Sequence, residues 1–257
     1  MHVASTPVPL DTASLPDVVA AETRALAAVV RDADPTTPVP SCPDWTLTDL
    51  VSHVGTIHRW VTDMVVTLSP ERKRRARDDR RADGPANAAW LTDGVDPLLA
   101  AFAGADPESP MWAWGMPKQV KFWPRRMLHE TGVHRADAEL AVGQTPSFEP
   151  AVAADGIEEL LANLPEAVYF APNVAALVGD GESIVFVALD AKAAWRIDLA
   201  PDGFRWERLE GPTLHSTVVV GAPASDLLLY LYGRPGPAPE VHGDADVLHH
   251  WVTNSAL

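Results

Sequence analysis

The chain has 257 residues, 47% of them hydrophobic, which is enough for one or two cores and excludes global disorder. Its 20 basic and 35 acidic residues leave a formal charge of −15, which speaks against nucleic acid or an anionic membrane surface as partner. No apolar run approaches the roughly 18–20 residues of a membrane span. Residues 1–17 show neither the basic nor the apolar region of an export signal, and the lone Cys42 forbids an internal disulfide, so a cytoplasmic protein is expected.

The predicted elements run as follows. Residues 1–14 read as a tail, and Leu15 to Val30 has helical apolar spacing. PTTPVPSCPDW (35–45) is a Pro-rich loop. Thr46 followed by Asp49 resembles a capping box and opens a long amphipathic helix over 46–67, marked by Leu47, Leu50, Val51, Val54, Ile57, His58 and Val61. ERKRRARDDRRAD (71–83) has no apolar stripe and reads as a solvated linker with interleaved charges. Ala88–Phe102 is helical. A Trp-rich irregular stretch, PMWAWGMPKQVKFWP, follows, with Trp112, Trp114 and Trp123 expected to pack the bundle end and a domain interface. Pro124 suits the first turn of a helix reaching about Val142. Four helices in the first 145 residues predict a bundle. GQTPSFEP (143–150) is a turn-rich boundary. Beyond it come a helix at 151–163, then the short β-branched or aromatic runs ESIVFVALD, AAWRIDLA, FRWERLE and HSTVVVGA, and helices at 224–234 and 245–252, an α+β pattern.

The chemistry-bearing stretch is RRMLHETGVHRADAE (125–139). It is not a zinc-protease helix, because the position that would need histidine is Val133. Glu130 and His134, four residues apart, project about 40° apart on a helix and share a face, whereas His129 sits about 100° away and reads as a bystander. Two ligands do not make a tight site. His53, in line with Leu50, Val54 and Ile57, points to the bundle interior and is the candidate third ligand, with His58 as its rival. From the residues alone, a solvated Glu–His pair and an ordinary core histidine stay open. Asp137 reads as half of a surface ion pair or as a partner that orients a ligand, and Cys42 as a packed loop thiol.

Three segments, VPSCPDWTLTDLVSHVGTIHRW (39–60), KFWPRRMLHETGVHRADAE (121–139) and GAPASDLLLYLYGR (221–234), together resemble the mycothiol-dependent maleylpyruvate isomerase family, an actinobacterial group of the DinB-like superfamily. The resemblance spans about residues 12 to 255. It implies an α+β protein with a DinB-like metal-binding four-helix bundle over 12–147 and a small α+β C-terminal domain over 148–257. It implies a divalent metal, zinc in most of the family, on His53, Glu130 and His134. Two histidines and one carboxylate also suit iron(II). It implies mycothiol as the thiol and a role for Arg234, either clamping a substrate carboxylate or complementing a helix C-terminus.

Three protein ligands leave an open position, as catalytic sites do. A thiol there would lose its proton, add to a cis double bond, allow rotation, and leave by elimination. The expected function is therefore thiol-dependent chemistry on a small electrophile, as a maleylpyruvate-type cis–trans isomerase or a mycothiol S-transferase, in a monomer or homodimer. The alternatives are a hydrolase that activates water and a metal-stabilised binding protein without turnover.

Overall fold

The computed structural model describes residues 10, 14–75, 83–209 and 215–256. The chain divides into two compact units, one of residues 11–146 and the other of residues 147–257 together with Leu10. Among the described residues no helix is long and apolar enough to cross a membrane.

Four helices form the first unit: α1 (Leu15–Arg31), α2 (Leu47–Val66), α3 (Gly84–Gly104) and α4 (Phe122–Ala141). α1 packs on α3 and α4, and α2 packs on the same two. The core between them is built from Leu26, Val30, Leu47, Leu50, Val54 and Leu91, with Ala138 of α4 closing it. The start of α2 is set locally. Thr46 accepts the Asp49 amide on its side chain, and the Asp49 carboxylate accepts the Thr46 amide at 3.0 Å, so two otherwise orphaned amides are satisfied. α3 extends beyond the predicted 88–102 because Asp83 caps its N-terminus and Gly84 and Pro85 enter the first turn.

α4 has little amphipathic character, yet it is buried nearly all round, including Arg126, His129, Thr131, His134, Arg135 and Asp137. Buried polar groups must be paired. Arg135 pairs with Glu22 of α1 and with Glu139, and His58 of α2 bonds Thr131 at 2.8 Å. Trp60 packs edge-on against Trp112 and Trp123, with centroids 5.8 and 5.5 Å away, and the Trp112 and Trp123 rings lie 6.1 Å apart at a shallow tilt. Of the basic run at 71–83, Lys73 pairs with Asp63, and residues 76–82 lie outside the described residues.

The second unit holds α5 (Pro150–Asn163), a five-stranded sheet, α6 (Ala224–Leu231) and α7 (Ala245–Ser255). The strands are β1 (Ser183–Ala188), β2 (Ala193–Ala200), β3 (Gly203–Leu209), β4 (Val218–Ala222) and β5 (Glu240–Gly243), in the order β3-β2-β1-β4-β5. β1 and β4 are parallel, and the remaining pairs are antiparallel. The molecule is thus α+β, a helical bundle followed by a mixed sheet with helices. The sequence reading missed β5 and two short 3-10 helices at Leu164–Tyr169 and Pro172–Ala176. β5 is short, fully exposed and an edge strand, so it carries no apolar alternation to find.

Candidate metal centre

His53 sits on α2, and Glu130 and His134 sit one turn apart on α4. Packing of α2 against α4 brings the three together across 77 residues of sequence. His53 Nε2 lies 3.0 Å from Glu130 Oε1, and His134 Nε2 lies 3.5 Å from the same oxygen. One donor atom from each residue falls within 4.8 Å of the others, so the group can hold a metal ion. The rival, His58, is fully buried and bonds Thr131 instead. His129 is buried and lies outside the three-donor group.

The surrounding residues restrain each donor. Arg126, one turn before Glu130, donates to Oε2 at 2.9 Å and leaves Oε1 facing the histidines. Burial opposes the charge on Glu130, but hydrogen bonds from His134 and His53 and the Arg126 charge outweigh it and hold the carboxyl well below its usual range. Burial likewise disfavours a charged His134, yet hydrogen bonds to Asp137, Cys42 and Glu130 raise it well above an ordinary histidine. At His58 burial dominates and lowers the value to about 4, so that ring is neutral.

The expectation of a surface ion pair at Asp137 is corrected. Its side chain is fully buried and accepts His134 Nδ1 at 2.9 Å, Ser41 Oγ at 2.5 Å and the Cys42 thiol at 3.5 Å. The reason is that the last turns of α4 face the 39–45 loop and not solvent. That loop closes on itself through Val39 N–H to Trp45 O, Cys42 N–H to Val39 O and Trp45 N–H to Cys42 O. Cys42 is accordingly a packed loop thiol that also touches the site. Trp45 places its ring 4.8 Å from the His53 ring and stacks 6.0 Å from that of His134.

Sequence reasoning missed Trp45, Ser41 and Arg126 as neighbours of the site. The spacing of four between Arg126 and Glu130 was a usable signal. The loop contacts had none, because they depend on how the loop folds back. Arg234 follows α6 in the second unit. Its guanidinium donates to the carbonyl of Tyr232, the C-cap of that helix, at 2.7 Å.

Comparison with known proteins agrees with this division of the chain. A family model described as the mycothiol maleylpyruvate isomerase N-terminal domain matches residues 17–139, and one described as the MDMPI C-terminal domain matches residues 151–250. No curated protein matches by sequence. Among solved structures, a mycothiol-dependent maleylpyruvate isomerase superposes with a TM-score of 0.60 at 14% identity, over 93% of this chain and 95% of that one. A histidine-to-alanine mutant of that enzyme gives 0.59 at 13%, with the same coverage. At such identity the superposition speaks for the fold. The two family models, which between them take in both units, show that the chain belongs to the mycothiol-dependent maleylpyruvate isomerase family of thiol-dependent enzymes.

Proposed function

We propose that the protein is a metal- and mycothiol-dependent cis–trans isomerase of the maleylpyruvate type, with the metal on His53, Glu130 and His134. The observation that carries the reading is the convergence of three donors of the right chemistry on one point. Ligands of a tetrahedral zinc lie about 3.3 Å apart at ordinary bond lengths. The 3.0 and 3.5 Å separations to Glu130 Oε1 bracket that value. Two imidazoles and one carboxylate suit zinc and also iron(II).

A divalent ion held there supplies positive charge that lowers the pKa of an entering thiol. The chain's own residues do the rest. Glu130 contributes a carboxylate already held anionic by Arg126 and the two histidines. Trp45 packs beside both histidines, 4.8 Å from the His53 ring and 6.0 Å from that of His134. Arg234 is proposed to hold a substrate carboxylate in a bidentate pair. Mycothiol, when bound, would supply a thiol whose reversible addition to a cis double bond permits rotation and returns the free thiol.

The test is metal analysis of the purified protein joined to a mycothiol-dependent isomerisation assay on a maleyl substrate. One zinc or iron per chain and turnover that returns free thiol are expected, with both lost in H53A and H134A. A stable thiol conjugate as product makes the protein an S-transferase. Turnover without thiol makes it a hydrolase, and absence of bound metal sinks the proposal.

A further inference from the structure

We infer that Asp137, clasped by the 39–45 loop, is a positioning residue that fixes His134 with its proton on Nδ1 and its Nε2 turned toward His53 and Glu130. The inference rests on the metal reading above and adds the part of the protein that presets one donor. A carboxylate only accepts hydrogen bonds, so the 2.9 Å contact from Nδ1 places the ring proton on that nitrogen. The opposite nitrogen is then the one available to an ion, and it is Nε2 that lies 3.5 Å from Glu130 Oε1. Orientation of a ligating histidine through its second nitrogen is a general device of metal sites.

The position of Asp137 is itself determined. Ser41 Oγ donates to Oδ1 at 2.5 Å, and Cys42 Sγ donates to Oδ2, the oxygen that receives His134. Both donors belong to the loop whose internal hydrogen bonds also bring the Trp45 ring to 4.8 Å from that of His53 and 6.0 Å from that of His134. A single loop therefore orients His134 from behind and packs beside it. Cys42, His134 and Asp137 are also close enough to form a second three-donor group. An ion there would have to displace the protons that now hold Asp137, and it would use the nitrogen that orientation requires to be protonated.

The experiment measures zinc stoichiometry and affinity by chelator competition on the full chain, wild type beside D137N and C42S. Long-range proton–nitrogen NMR of the zinc-loaded wild type is recorded as well. One zinc per chain is expected, weakened 10–100-fold in D137N, and unchanged in C42S, whose hydroxyl still donates to Asp137. The NMR spectrum should show His134 protonated at Nδ1 and ligated through Nε2, a readout that needs no variant to fold. D137N binding as tightly as wild type, ligation through Nδ1, or a second zinc lost in C42S overturns the inference while the metal reading stands. If wild-type protein takes up no zinc, the metal reading itself fails.

Discussion

Glu130 carries the charge balance of the site. One of its oxygens answers Arg126 and the other answers two imidazoles, so in the metal-free protein His134 takes up a proton to match it. An ion must displace that proton, because a ligating imidazole needs a free lone pair at Nε2. Zinc uptake should therefore release about one proton at neutral pH. Affinity should tighten as pH rises through the raised His134 value and level off above it. Titration calorimetry in buffers of different ionisation enthalpy measures the release, and a pH-independent affinity between mildly acidic and alkaline conditions would contradict this account. At Arg234 the proposed carboxylate pair predicts that R234A raises KM for a charged substrate, or lowers kcat/KM, at unchanged zinc content. A role confined to capping α6 predicts instead a lower thermal midpoint with kinetics intact.

The helices show what was legible element by element. α2 announces itself by apolar spacing and by its Thr46–Asp49 box, and both features are realised. Removing the Thr46 hydroxyl orphans the Asp49 amide, so T46A should cost about 1 kcal/mol, read as a lower urea midpoint at unchanged m-value. The same helix shows a constraint that no pattern reveals. A Cβ on Gly55 would run into the Trp90 ring, so G55A forces that ring to shift at the α2–α3 contact. α4 is the opposite case. Its sequence reads as a charged helix, yet it is buried on nearly every side with its polar groups paired. Periodicity reports the average environment around a helix, and it has little to say about one surrounded by partners. That is why Glu130 and His134 could be recognised as a pair on one face while the burial of Asp137 could not.

At the scale of the whole molecule, stability of the metal-free protein should fall as pH drops, and His58 sets the window. Its folded value of about 4 lies below the usual histidine range. Between pH 6.5 and 4.5 the unfolded chain binds a proton there that the folded chain refuses, so unfolding is favoured as pH falls. The loss across that window is about 2–3 kcal/mol. His134 is protonated in both states there, since its folded value is raised and its contribution is already complete below the unfolded one. Glu130, lowered on folding, keeps its contribution above its unfolded value and loses it only in stronger acid. Urea unfolding at pH 6.5, 5.5 and 4.5 should thus show a slope that H58Q flattens, and an equal slope in the variant would rule out His58 as the source.

By itself the sequence determined the α+β class, the four bundle helices, four of the five strands, and which polar residues were candidates for a metal. Those features are written in local terms, as apolar period, turn chemistry, cap residues and the spacing of side chains on one helix. Apolar spacing preferred His53 to His58 and left both open, and the tertiary structure brings His53 to Glu130 and His134 while His58 bonds Thr131, because the outcome depends on how α2 is rotated against α4. Only it turned Asp137 inward onto Ser41 and Cys42 and set Trp45 beside the two imidazoles. Contacts between residues 77 or 96 positions apart are set by packing and loop closure, which no local pattern encodes.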